Sequence, residues 1–294
     1  MSRVAILTPD PADAVKWGEL PGALYEAMAA PLAGAGLEVR SEPWTLVQAE
    51  SLAGYDLVLP LLVWGYHFDV ARFRAAVGGW AEAGVRLRNP APVLMWNCDK
   101  RYLDVLAADG APTIPTRFVD RLDEDGLARA ADAFGTAVLV VKPQVSGAAW
   151  KTLKLRPGEP LEGAPEGPAM IQPFLPAIAE EGELSLFYFD RRFSHAVRKR
   201  PRAGDFRVQE QFGGVNEACD PPAESIAAAE AVLAATAEPL LYARIDLIRG
   251  FDGRFALIEI ELIEPDLFLA YDRRAPDRFA AAVRVAAEAA FAAC

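Results

Sequence analysis

Three acids in the last quarter of the chain have the types and spacing to hold a hard cation. The stretch "GRFALIEIELIEP" (253–265) is rich in isoleucine and leucine, yet it carries Glu259 and Glu261 two apart, and then Glu264 just before a proline. Upstream, "YARIDLI" (242–248) carries Asp246. If both runs are strands, side chains alternate faces, so Glu259 and Glu261 share one face with Leu257 while Ile258, Ile260 and Leu262 form an apolar one. Pairing across a turn at 250–253, with Arg249 opposite Arg254, sets Asp246 opposite Leu257 and diagonal to Glu259. A slip of two residues still keeps Arg244, Asp246, Glu259 and Glu261 on one face. Two carboxylates ~7 Å apart repel by about 2 kcal/mol at an effective dielectric of about 20. Solvent on an exposed hairpin face relieves that repulsion, and so does a bound cation. Oxygen-liganded Mg²⁺ suits such a set, particularly when phosphates supply the other ligands.

Basic residues suited to an anion lie in mid-chain. Lys142 ends the apolar run "VLVVKP", where a buried strand leaves it either a snorkelling tip or an anion partner; Lys100, in "NCDKRYL", reads equally as a surface residue. "QVSGAAWKT" is either a plain hairpin loop or a flap of small residues, Gly147 among them, whose N–H groups could cover phosphates. "RRFSHAVRKRPRAGDFR" (191–207) holds seven Arg and Lys residues. Strand alternation splits Arg198 and Arg200 from Lys199, and neutralising a transferring phosphoryl group suits these donors better than nucleic acid; a solvated strand edge accounts equally for Arg191, Arg192 and Arg202. His67 and His195, the only histidines, are read as non-catalytic, since neither neighbours a Ser or Cys with an obvious orienting acid.

The elements that must position these groups change character along the chain. Up to residue 95, apolar strands (4–8, 37–43, 55–63, 92–97) alternate with helices (22–34, 69–83), the pattern of a parallel sheet with crossover helices. Beyond it the spacing predicts helices at 99–109, 124–134, 222–237 and 275–293 among more numerous strands, with a hairpin turning at Asp190–Arg192. The fold class is therefore α/β followed by α+β. At 294 residues the chain can bury several cores, and its 52% hydrophobic residues contain no run long enough for a membrane helix. The N-terminus lacks a secretory signal, which predicts a cytoplasmic protein. A net charge of −11 argues against a general nucleic-acid binder. Cys98, Cys219 and Cys294 have no metal or disulfide spacing and are expected as reduced thiols.

Taken in order, these stretches resemble the ATP-grasp superfamily, most closely its bacterial glutathione-synthetase-like branch, over residues 95 to 270. The resemblance implies an N-terminal open α/β lobe on the substrate side (1–95), a central lobe with phosphate flap and hinge (96–180) and a C-terminal lobe with the metal site (181–294). In "MIQPFLPAIAEEGELSL" it implies that the backbone around Gln172, Phe174 and Leu175 binds adenine and that Glu183 or Glu181 reaches the ribose. Lys100 and Lys142 would hold the ATP phosphates beneath the flap at Gly147. In "RKRPRAGDFRVQEQFGG" it makes Lys199, Arg207 and Gln209, which precede Gly213 and Gly214, the catalytic group. Asp246, Glu259 and Glu261 would be the ligands of Mg²⁺, usually two ions, with Mn²⁺ as a substitute. This sequence has Glu261 where the family often has Asn, and one glycine in "VSGAA" where the family has several.

"VVKPQVSGAAWKT" and "IEIELIEPDLFL" further resemble stand-alone ATP-grasp ligases of small-molecule biosynthesis, such as cyclo-ligases that close O-ureidoserine to cycloserine. The implied activity is activation of a carboxylate, or carbonyl equivalent, of a small amino-acid-like substrate as an acyl phosphate. An amine then attacks, between or within molecules, releasing ADP and phosphate. A small-molecule kinase of the same fold and a non-catalytic ATP-binding regulator are the alternatives. No nucleic acid or membrane partner is expected, and a homodimer is the default assembly. "WGYHFD" (64–69) and "DPADAVKWG" (10–18) are candidate lining loops for the substrate, with buried packing as the competing role of Trp64 and Tyr66.

Overall fold

The computed structural model describes residues 1–292. Strand β1 (Arg3–Thr8) is followed by helices α1 (Ala14–Trp17) and α2 (Leu20–Gly34), strand β2 (Glu38–Pro43), helix α3 (Ala49–Ala53), strand β3 (Leu57–Leu59) and helix α4 (Val70–Glu82). The three strands form a parallel sheet in the order β2-β1-β3, because each is joined to the next by a helical crossover. β3 is shorter than the apolar run 55–63 predicts. Pro60 lacks the N–H that would extend the ladder, and Leu61 to Val63 are buried as loop instead.

The stretch 92–97, expected as a strand, is helix α5 (Ala91–Asn97). Pro90 caps it and Pro92 stands in its first turn, where a missing N–H costs nothing, and the Val93 and Leu94 amides bond back to the Pro90 carbonyl. A short apolar run does not distinguish buried strand from buried helix.

Helix α6 (Tyr102–Ala108), strand β4 (Arg117–Val119), helix α7 (Glu124–Phe134) and strands β5 (Leu139–Pro143), β6 (Leu153–Leu155) and β7 (Ala169–Pro173) follow. Their strands make an antiparallel sheet in the order β4-β7-β5-β6. After helix α8 (Ala177–Glu180) come β8 (Glu183–Phe189) and β9 (Arg192–Arg200), joined by a tight turn in which Asp190 and Arg191 both have positive φ. Strand β10 (Val215–Ala218), helix α9 (Ala223–Ala234), strands β11 (Tyr242–Arg249) and β12 (Phe255–Glu261) and helix α10 (Ala275–Ala292) complete the chain. The second antiparallel sheet runs β10-β9-β8-β11-β12. Residue 293, the predicted end of the last helix, and Cys294 lie outside the described residues. Among the described residues no helix is long and apolar enough to cross a membrane.

The acidic strand β12 is the edge of its sheet, and three segments occupy its outer side. Asn97, from α5, donates to the Ile260 carbonyl (2.9 Å) and accepts from the Leu262 amide (2.9 Å). Asn89, wholly buried, donates to the Tyr242 and Leu262 carbonyls and accepts from the Leu241 amide. The Leu257 amide donates to Pro112 and its carbonyl accepts from Ile114. Each side-chain amide thus satisfies backbone groups that would otherwise be orphaned inside the protein. Helix α10 returns to the first sheet: Phe279, Val283 and Ala287 pack in one core with Val4, Ile6, Leu32, Leu57 and Leu59.

Candidate active site

A cleft of about 560 Å³ is lined by both antiparallel sheets and by the loops after β1 and β3. Its acidic wall comes from the β11–β12 pair. A bulge between Asp246 and Leu247 shifts the register, so Asp246 faces Glu259 directly and Arg244 faces Glu261. The turn adds one residue more, setting Arg249 opposite Phe255 rather than Arg254, and the two shifts together correct the simple pairing, in which Asp246 opposed Leu257. The bulge also reverses two neighbours, burying Leu257 completely while Ile258 lines the cleft. Arg244, Asp246, Glu259 and Glu261 do share one wall.

Each of these acids meets a basic side chain. Asp246 accepts a forked pair of hydrogen bonds from Arg244 (3.0 and 2.9 Å), one from Ser185, and lies 3.4 Å from the Lys199 ammonium. Arg244 also bonds Glu261, Lys199 pairs with Glu183 at 2.8 Å, and Lys100 pairs with Glu259 at 2.9 Å. Among the described residues no group of three His, Cys, Asp or Glu side chains could hold a metal ion as placed. The expected Asp246–Glu259–Glu261 ligand set is therefore not ready-made. The Asp246 side chain is only 5% exposed and its oxygens are saturated by cations, whereas Glu259 and Glu261 keep 25% and 28% of theirs exposed.

Burial works against every charge here, and the neighbours decide the outcome. For Asp246 burial is outweighed by Arg244 and Lys199, which hold the carboxyl well below its ordinary range. For Glu259 burial is outweighed by Lys100 and Lys142, and its pKa is lowered. For Glu261 burial, reinforced by Glu259 and Asp246, prevails over Arg244 and pushes the group up to about 7. Burial also raises Glu183 despite Lys199. Lys142 makes no hydrogen bond or ion pair among the described residues, and burial lowers its pKa against the pull of Glu259.

The loop after β5 covers one side of the cleft. The Lys100 ammonium donates to the Ser146 carbonyl (2.6 Å), Gln211 donates to the Ala148 carbonyl (3.0 Å), and a Cβ on Gly147 would come 3.3 Å from His67 Nδ1. Ala148, Ala149 and Lys151 all have positive φ, so the left-handed turns expected of glycine are made here by L-residues. At the hinge, Gln172, Phe174 and Leu175 line the cleft. The Phe174 amide donates to Val138 (2.9 Å), and Gln172 donates to Thr116. Glu183 lines the cleft; Glu181 instead pairs with Arg249 (2.9 Å) outside it, because Gly182, with φ 86°, turns the chain between the two acids. Arg207 lines the cleft, tied to Asp205 (2.8 Å) and stacked over Phe212, and Gln209 beside it has a buried Oε1 without a partner. Gly214 permits this turn, since a Cβ there would fall 1.9 Å from the Val208 carbonyl oxygen.

Sequence reasoning gave no role of their own to Arg244 or Glu264, and placed His67 only within a candidate lining loop; all three line the cleft. The first two were visible on or just past the acidic strand; His67 gave no signal beyond its place in "WGYHFD". Trp17, Trp64 and Tyr66 also line it, and Tyr66 is at the same time part of the N-terminal core.

Residues 4–89 match the family described as D-cycloserine synthetase DcsG, N-terminal domain. The chain is 34% identical to the cycloserine biosynthesis protein DcsG of Streptomyces lavendulae over 218 residues, 67% of this chain and 72% of that protein. It is 30% identical to the glutathione synthetase of Parasynechococcus marenigrum (strain WH8102) over 267 residues, 85% and 80% of the two chains. The crystal structure of D-cycloserine synthetase DcsG is similar with a TM-score of 0.81 and 27% identity, over 98% of this chain and 100% of that one. A D-alanine–D-alanine ligase from Bacillus anthracis complexed with ATP shares the fold at 18% identity, with a TM-score of 0.70 over 100% of this chain and 98% of that one. The chain belongs to the ATP-grasp ligases, in the group of the D-cycloserine synthetase DcsG.

Proposed function

We propose that this cleft binds Mg·ATP and forms a carbon–nitrogen bond on a small amino-acid-like substrate, by ring closure in the manner named for DcsG or between two molecules. The observation that carries the reading is the convergence on one cleft of Lys100, Lys142, Lys199, Arg207 and Arg244 with the acids of β11 and β12. Among the described residues Lys142 is a buried ammonium with no hydrogen-bond or ion-pair partner, and a phosphate oxygen supplies the counter-charge it lacks. Lys100 joins it, its ammonium bonded to the Ser146 carbonyl of the loop that carries Gly147. Glu259 and Glu261 fit Mg²⁺ as hard oxygen donors that still reach the cleft, with Asp246 across from them holding Arg244 and Lys199 in place. Bound there, Mg·ATP would supply the phosphoryl group that converts the substrate carboxylate, or carbonyl equivalent, to an acyl phosphate with release of ADP, and phosphate would leave as the amine forms the new carbon–nitrogen bond.

The remaining work is positioning and charge stabilisation. Glu183 is the ribose acid of the pair considered, as the one that faces the cleft. Lys199, Arg207 and Gln209 face the reacting carbonyl, and Gln209 Oε1 offers an acceptor to an attacking amine. Two Mg²⁺ ions, replaceable by Mn²⁺, belong to this proposal, as do the three-lobe division, cytoplasmic location and a homodimer. Incubation with Mg·ATP and a panel of amino acids, O-ureidoserine and amine acceptors tests it: ADP and free phosphate released at a substrate-dependent rate are expected. Phosphate retained on the acceptor would instead make the protein a kinase.

A further inference from the structure

The segment after β12 has a role that the ATP chemistry does not use. Residues 264 to 268, Glu-Pro-Asp-Leu-Phe, alternate: Glu264, Asp266 and Phe268 line the cleft while Pro265 and Leu267 are buried behind them. Asp266 is occupied by the Phe268 amide (3.0 Å), and Phe268 itself sits in a left-handed conformation, φ 44°. Glu264 is different. Glu183, Asp246, Glu259 and Glu261 each have a lysine or arginine in contact, but Glu264 makes no hydrogen bond or ion pair among the described residues. Lys100 and Arg244, the basic groups whose charge reaches it, are already committed to Glu259, Asp246 and Glu261. In the N-terminal part the charge of Glu264 acts on Tyr66, which lines the cleft along with Trp64, itself packed edge-on against Trp17.

Unpaired charges in a sheltered cleft mark where a ligand must bring the opposite sign. Lys142 is the cationic instance and Glu264 the acidic one: burial, reinforced by Glu261, raises the Glu264 carboxyl well above its ordinary range, so a cation entering the cleft is what would draw out its charge. A carboxylate that shares a cleft with aromatic rings suits an ammonium group, since the ring faces add cation–π attraction to the ion pair. We propose that Glu264 is the specificity residue that selects the substrate by its α-ammonium group, holding it against the aromatic wall of Trp64 and Tyr66. This rests on the amino-acid-ligase reading above and names how the amino acid is recognised.

The test uses the full chain loaded with Mg²⁺ and a non-hydrolysable ATP analogue, titrated by calorimetry with D-cycloserine, O-ureidoserine, D-alanine and D-serine, each beside its N-acetyl derivative. At least one free amine binds, and its N-acetyl form binds at least about tenfold more weakly. E264Q weakens the free amine by about 10- to 100-fold and leaves the N-acetyl form where it was, so the ratio collapses; E264D restores part of it. In turnover the loss falls mainly on KM. E264D carries the comparison should E264Q fail to fold. A ratio that survives the substitution overturns the proposal, and so does a wild type that binds the ATP analogue but no free amine. Failure to bind the ATP analogue overturns the ligase reading instead.

Discussion

Replacing Asp246 by Asn separates two physical pictures of the acidic wall by the sign of the effect. Were Asp246, Glu259 and Glu261 simply three repelling acids awaiting a metal, neutralising one would relieve about 2 kcal/mol and raise the melting point of the metal-free protein. The structure shows the opposite situation. Asp246 is the shared counter-ion of Arg244, at 2.9 and 3.0 Å, and Lys199, at 3.4 Å, with side-chain exposures of 5%, 10% and 8%. Removing the acid that both cations share leaves them only Glu261 and Glu183 as counter-ions, at a cost of about 3–5 kcal/mol. At about 2 °C per kcal/mol for a chain of this size, the melting point should fall by roughly 6–10 °C. Differential scanning calorimetry without Mg²⁺ or nucleotide reads this directly. Arg244→Met should account for much of the same loss, so the double variant falls short of the sum by about 2 kcal/mol. An unchanged or raised melting point in D246N, or strict additivity with R244M, refutes the reasoning.

Lys142→Ala should weaken a non-hydrolysable ATP analogue by at least about tenfold in calorimetry while leaving the melting point unchanged or higher, because an unpaired buried charge is removed. Asn97→Leu strands the Ile260 carbonyl and the Leu262 amide and should cost about 2–4 kcal/mol in chemical denaturation; a loss below about 1 kcal/mol would show that β12 does not depend on that staple. Ala148→Gly relieves a left-handed alanine and should stabilise by about 0.5–1 kcal/mol, whereas a loss would mean the turn is not strained. Burial holds His67 and His195 down at about 4 from an ordinary 6.5. Between those values the unfolded chain binds protons that the folded chain refuses, so stability is complete above 6.5 and falls as the pH drops toward 4. The loss is on the order of 3 kcal/mol at His195, and His195→Asn should flatten that slope in melting-point measurements across the window.

What was legible in the sequence was local. α7 could be placed to the residue because its signals are short-range: Asp123 caps the Gly126 amide, and Gly135 ends the helix with φ 65°. The β8–β9 hairpin likewise follows from its own strands and turn. The acidic face of β11 and β12 followed from period-two alternation, which survives any even slip. The bulge at Asp246 did not, since nothing in "IDLIRGFDGRFALIEI" marks which residue is extra. Residues 92–97 misled because burial makes helix and strand equally apolar, and the decisive feature, Asn97 on β12, lies 163 residues away in sequence. The cation partners of the acids were hidden for the same reason. Lys100, Lys199 and Arg244 come from three separate elements, and only the packed sheets reveal that they converge.

The packing of α10 against β1 and β3 sets a timetable for biosynthesis. The apolar face that Val4, Ile6, Leu57 and Leu59 present to Phe279 and Val283 is translated more than two hundred residues before its cover. At ribosomal rates of about 5–20 residues per second, that surface waits tens of seconds inside a growing chain. The nascent protein therefore exposes a sticky parallel sheet for most of its synthesis, a natural client for a holding chaperone, and its first core closes only when its last helix has emerged.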